Sequence, residues 1–83
     1  MMIYSVNEPI KTIVFFEGPK IKPLRFLWRG VTYPVKEITY TWKNREGRAL
    51  VYHFAVTDGL NVFQLKYQTE SLFWEIESID LER

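Results

Sequence analysis

Residues 24–35, LRFLWRGVTYPV, alternate apolar and other side chains up to Arg29-Gly30 and resume the alternation in mirror order beyond it. Side chains along a strand point to opposite faces in turn, and residues paired across a hairpin point the same way. With Arg29-Gly30 as a two-residue turn, Trp28 falls opposite Val31, Phe26 opposite Tyr33 and Leu24 opposite Val35. All six then share one face, so the stretch is expected to build core. Its outward phase is left to Arg25, Leu27 and Arg29. Pro34 has no N–H for a sheet ladder, which makes the second arm an edge strand or turns that position away from a partner.

The same period runs through the rest of the chain. Residues 2–6 start a short strand that Asn7-Glu8-Pro9 ends, and residues 10–16 (IKTIVFF) are β-branched and aromatic, as strands are. Glu17-Gly18-Pro19 turns the chain, and residues 20–23 form an extended basic link. Val35 and Ile38 both look buried yet lie three apart, so a bulge or bend at Lys36-Glu37 is expected before a strand with Ile38, Tyr40 and Trp42 inward. After the polar turn at residues 44–47, Leu50, Tyr52, Phe54 and Val56 alternate to Asp58-Gly59, and Phe63, Leu65 and Tyr67 alternate back. A two-residue Asp-Gly turn would set Phe54 against Phe63, Tyr52 against Leu65 and Leu50 against Tyr67. A last strand has Leu72, Trp74 and Ile76 inward and Phe73, Glu75 and Glu77 outward, until Ile79 breaks the phase by a second bulge or a turn of helix. Helical periodicity is absent. The expected fold is all-β: an antiparallel meander of five to seven strands, forming a curled sheet or small, partly open barrel.

Eighty-three residues leave room for one core, so residues 1–83 are read as a single domain. Aromatics make up 17% of the chain, and each buried ring removes roughly 150–250 Å² from water, which offsets the lack of disulfides in a chain without cysteine. Thiolate metal sites and cysteine nucleophiles are excluded with them. No apolar run is longer than four residues, residues 13–16 being one, and residues 1–8 lack the basic start and apolar run of a secretion signal. The expectation is a cytoplasmic protein with no membrane role. The net charge of +1 hides a split: residues 1–48 carry nine Lys or Arg against four Glu, and residues 49–83 carry two against six acids. That split is either a basic binding face or two halves whose signs mix in one sheet system; mixing is the simpler reading.

Phe26-x-Trp28-Arg29-Gly30-x-x-Tyr33-x-Val35, followed by Ile38 and Trp42, resembles a small bacterial all-β domain family of unknown function. Its members read F-x-W-R-G-x-x-Y-x-V through to a closing strand, matched here by Tyr52, by Phe63-x-Leu65 and by Trp74-Glu75-Ile76 through Ile79-Asp80. Some members look to be encoded beside translesion-polymerase-like genes, so the resemblance implies a DNA-repair context. The family has no defined catalytic residues, and none carry over.

The chain's own residues supply little chemistry. His53, the one histidine, falls on the outward phase beside Val51 and Ala55, and a lone imidazole is a poor metal site because zinc takes three or four protein ligands. Glu75 and Glu77 are the only paired carboxylates suited to acid–base work, on a face expected to be solvated. Ser5, Ser71 and Ser78 lack a neighbouring base or nucleophile-elbow pattern, and the four glycines are isolated turn residues rather than a phosphate loop. No cofactor, metal or small-molecule substrate is inferred, and the protein is expected not to be an enzyme. What remains is surface: Arg25, Leu27, Arg29, Lys36, Lys43, Arg45 and Phe73 form the candidate interaction residues. A protein partner or self-association through an edge is the first expectation. Nucleic acid is the second, because a binding platform needs exposed rings and only Phe73, with Phe15 or Phe16, is phased outside.

Overall fold

Where the apolar alternation reverses at Arg29-Gly30, the chain does turn. The computed structural model describes residues 2–81 and places Trp28 opposite Val31 and Phe26 opposite Tyr33, with Arg29 and Gly30 at φ of 52° and 79°. Positive φ at both central residues is the condition of a type I′ hairpin, and Gly30 meets it without steric cost. Eight strands result: β1 (Met2–Pro9), β2 (Lys11–Glu17), β3 (Lys20–Trp28), β4 (Val31–Pro34), β5 (Glu37–Glu46), β6 (Ala49–Thr57), β7 (Asn61–Gln68) and β8 (Phe73–Leu81). They form a five-stranded sheet ordered β1-β8-β7-β6-β5 and a three-stranded sheet ordered β2-β3-β4.

The all-β antiparallel class is as the sequence implies. The finer expectation gives way, because there are eight strands rather than five to seven, and the two sheets are neither closed nor strongly curled. The physical reason lies at residues 35–36, which leave one sheet and enter the other: Val35 N–H still donates to Leu24 O (2.9 Å), while Lys36 N–H donates to Thr57 O (2.8 Å). Residues 20–23 are likewise strand rather than link, paired with β2. Pro34 closes β4 at a sheet edge, where its missing N–H costs no ladder bond.

The sheets pack face to face over one cluster. Phe26 of the three-stranded sheet meets Phe63 of the five-stranded sheet edge-on at 5.2 Å, and Phe54, Val56, Leu65, Tyr67, Trp74, Ile76 and Ile79 complete the buried set. Four departures from strict alternation decide which side chains reach it. A bulge between Ser5 and Glu8 lets β1 continue to Pro9, past the expected stop. Leu24 is the extra residue opposite β2, and it is thrown onto the outer face instead of the core. Thr39 is the extra residue of β5; its hydroxyl donates to Ala55 O (3.1 Å). Beyond that bulge Tyr40 and Trp42 point outward with His53, and Thr41 and Lys43 take the inner phase, the reverse of the expectation. Glu77 is the extra residue of β8, which restores Ile79 to the core as the second bulge predicts.

Three further expectations shift. Val31 is half exposed at the hairpin tip, and Leu72 sits in the turn before β8 with φ of 58° rather than inside. The β6–β7 loop is longer than two residues: Asp58 Oδ1 accepts the N–H groups of Leu60 and Asn61, both at 2.9 Å. Capturing both amides moves the pairing to Val56 with Phe63, Phe54 with Leu65 and Tyr52 with Tyr67. The displacement is two residues, so every side chain keeps its face.

Candidate functional site

β2 and β3 pair Lys11 with Leu27, Ile13 with Arg25 and Phe15 with Lys22, so these residues share the outer face of the three-stranded sheet. Pro34 and Thr32 of β4 extend it, opposite Arg25 and Leu27. Among the described residues nothing is layered over this face. Ile13, Phe15 and Leu24 leave 50%, 50% and 48% of their surface open to solvent. Lys11, Lys22 and Arg25 ring them, and Glu17 is the sheet's only acid. It is bonded to Lys22 at 2.8 Å, and that ammonium holds the Glu17 carboxyl below the usual carboxylate range. The charge split of the sequence survives in part: the three-stranded sheet, with its hairpin turns, has five Lys or Arg against one Glu, whereas Lys43, Arg45 and Arg48 lie in or beside β5, in the same sheet as the acids of β8.

The outer face of the five-stranded sheet is built differently. Trp42 lies flat on His53 with centroids 4.9 Å apart and planes 5° from parallel, and Tyr40 packs beside Trp42. His53 Nδ1 is 2.9 Å from Glu77 Oε1, and Nε2 is 2.8 Å from Asn44 Oδ1. Gln64 donates to the same Glu77 oxygen at 2.9 Å. Both ring nitrogens of His53 thus face an oxygen, that of Glu77 at one and that of Asn44 at the other. Lys66 closes the row on Glu46 at 3.1 Å, and that hydrogen bond raises the Lys66 pKa. The result is a closed polar network. His53, Val51 and Ala49 are buried beneath it although no second layer of described residues covers them.

The expected interaction residues divide between these regions. Arg25 and Leu27 lie on the outer face of the three-stranded sheet. Arg29, at the hairpin tip, stacks its guanidinium 4.8 Å over Trp28 and grips Glu8 of β1: Arg29 Nε donates to Oε1 at 2.9 Å and Nη2 donates to Oε2. Trp28 Nε1–H donates to Glu8 Oε1 at 2.8 Å. These donors hold the Glu8 carboxyl below the usual carboxylate range, the Arg29 bond contributing most. Arg29 therefore ties the two sheets together. Lys36 lies in the link between the sheets, its chain against Gly59. Lys43 is on the inner face of β5, 5.9 Å over the Tyr52 ring, and Arg45 donates across the β5–β6 turn to Arg48 O. Phe73 is on the opposite outer face, across from Gln68. Arg25 and Leu27 share the outer face of the three-stranded sheet, where Ile13, Leu24, Lys11 and Lys22 join them, and Lys43 and Arg45 share the inner phase of β5. For Lys11 and Ile13 the signal was the pairing of β2 with β3, with Phe26 fixing the inward phase; Leu24 and Lys22 have the parity of Phe26 and lie outside only because of the bulge.

A cleft of about 340 Å³ opens between the β2–β3 turn and the inner face of β5 and β6, floored by Ile21, Ile38, Tyr52 and Phe54. It holds no pairing of nucleophile and base. Among the described residues no group of three or more His, Asp or Glu is placed to hold a metal ion. No family model, no curated protein and no solved structure matches this chain.

Proposed function

We propose that the protein is a non-enzymatic, cytoplasmic protein-binding domain, and that its docking surface is the outer face of the three-stranded sheet. The single observation that supports this reading is the exposure of Ile13, Phe15 and Leu24 side by side among Lys11, Lys22 and Arg25. Open apolar surface of that kind on a small protein marks a place that is covered in use. The cationic rim selects the occupant: a protein segment with an apolar stripe and acidic flanks. Nucleic acid, the second expectation, would want rings for its bases to stack on. This face offers one aromatic side chain, Phe15, among aliphatic neighbours, and Phe16 is on the other face of β2. Aliphatic surface favours protein.

The test is a titration of the labelled protein with a synthetic peptide of alternating leucine and glutamate, followed by amide chemical shifts. The expected shifts are confined to Ile13, Phe15, Leu24, Arg25 and Leu27, and Leu24→Glu removes them while the fold is kept. Shifts spread over the five-stranded sheet, or a response only to oligothymidylate that fades steeply with salt, would overturn the reading.

A further inference from the structure

The two sheets have four edges, β1, β5, β2 and β4, and three of them are guarded. An open edge presents unpaired N–H and C=O groups to any passing strand, and proteins blunt it with proline, bulges, charge or brevity. β4 is four residues long and ends in Pro34. β1 ends in Pro9, is bulged between Ser5 and Glu8, and has Asn7 at φ of 53°. β5 is bulged at Thr39 and finishes in Lys43, Asn44, Arg45 and Glu46. β2 has no proline, no bulge of its own and no shortness, and its charges, Lys11 and Glu17, stand only at its two ends. Its seven residues, KTIVFFE, contain no proline and no positive φ, and the only bulge in its pairing is Leu24 on the far side, in β3. Ile13 and Phe15 are half exposed on its outer face, and Phe16 is 58% exposed on its inner one.

The strand is also complementary to itself. We propose that β2 pairs antiparallel with β2 of a second copy about a twofold axis at Val14, giving a dimer with a continuous six-stranded sheet. In this register Lys11 faces Glu17 of the second copy, Ile13 faces Phe15 and Thr12 faces Phe16, twice over by symmetry. A register two residues away sets Lys11 against Phe15, or Glu17 against Ile13, and leaves strand unpaired. A register one residue away would run the outer face of one copy into the inner face of the other. Only the arrangement centred on Val14 matches all seven residues, places charge on opposite charge and gives each exposed apolar side chain an apolar or threonine neighbour. Being isologous, it closes at two copies. The inference rests on the docking reading, since it joins two copies of the same apolar, basic face into one wider platform with Ile13 and Phe15 of both copies at its centre.

Sedimentation equilibrium of the full chain, together with charge reversal, tests it. Lys11 has no ion-pair partner among the described residues and is exposed, so Lys11→Glu leaves the monomer folded by circular dichroism. It sets Glu against Glu at both ends of the interface and should weaken the dimer about tenfold, from two cross-strand pairs turned from attractive to repulsive. Glu17→Lys should do likewise with Lys against Lys. Mixing the two variants should restore association as a heterodimer tighter than either homodimer, and concentration-dependent protection from amide exchange should appear in β2. A chain that stays monomeric at millimolar concentration, a dimer indifferent to both reversals, or protection gained in another strand would overturn the inference. The two readings fail separately. A monomer that still takes the acidic peptide at Ile13 and Leu24 sinks the dimer alone, and a β2 dimer that takes no peptide sinks the docking surface alone.

Discussion

Among the described residues neither outer face of this sandwich has a covering layer, yet Val51 on one is fully buried and Ile13 on the other is half exposed. The difference is width and partnering. The five-stranded sheet has three interior strands, so long side chains from either side lean over β6: Trp42 from β5, Lys66 and Gln64 from β7, Glu77 from β8. Lys66, Gln64 and Glu77 each find a polar partner while doing so, and Trp42 stacks on His53, which keeps the covering polar groups satisfied near water. In the three-stranded sheet only β3 is interior, β4 is too short to flank its first half, and the Leu24 bulge pushes one more apolar residue outward. A sheet face can therefore bury its own residues when it is wide and its polar chains are paired. A narrow face leaves its apolar residues for something else to cover.

The strongest way to break this comparison is His53→Ala. The substitution removes the surface on which Trp42 stacks and leaves Glu77 and Asn44 without their ring partner. Losing a buried hydrogen-bonded node of this kind should cost about 3 kcal/mol in urea unfolding. A loss below about 0.5 kcal/mol would mean that the outer network is ordinary solvated surface.

Next comes a matched pair. Val51→Ala should cost about 2 kcal/mol, as for a core position, because two buried methyl groups leave a gap that the network cannot fill. Ile13→Ala, which removes more carbon from the exposed face, should stay within about 0.5 kcal/mol in the monomer, measured below the concentration at which copies associate. Equal costs would erase the distinction between the faces.

The same contrast explains what could be read from the chain. Face assignment follows from period two, so Phe26, Tyr33, Phe54, Phe63 and Trp74 are legible as core, and Arg25 and Leu27 as outward. The register at Arg29-Gly30 is legible because that turn allows one pairing, whereas at Asp58 the carboxylate captures Leu60 and Asn61 and lengthens the loop by bonds no dipeptide rule contains. Bulges are harder. Thr39 and Leu24 are displaced by what lies across the sheet, and a bulge inverts the phase of everything after it, which is why Tyr40 and Trp42 lie outside. Sheet width is invisible for the same reason: where Val35 and Lys36 cross between sheets is settled by Thr57 and Leu24, both distant in sequence. The proposed docking face was half legible, since Ile13 and Leu24 join Arg25 only once β2 is paired.

The smallest effect sharpens the comparison from the place where the two sheets touch. Glu8 of β1 is held by Trp28 and Arg29 of the opposing hairpin, and its carboxyl is depressed first by the arginine bond and then by the indole bond. A group whose folded-state pKa lies below its unfolded value contributes its full stability above the unfolded value and loses it as pH falls through the folded one. The tie should therefore be intact at neutral pH and released as acid carries the solution below the ordinary carboxylate range. Glu8→Gln, which retains an acceptor oxygen but not the charge, should unfold with a flatter pH dependence between neutral and strongly acid solution than the parent chain. Glu17, depressed by Lys22, lies within the three-stranded sheet and joins nothing to the other sheet, so Glu17→Gln should flatten the profile without loosening the packing of Trp28. Near-ultraviolet circular dichroism of the tryptophans separates the two. If Glu8→Gln leaves both the acid profile and the Trp28 signal unchanged, the sheets are held by the apolar core around Phe26 and Phe63, and the hairpin tip contributes nothing to holding the exposed face in place.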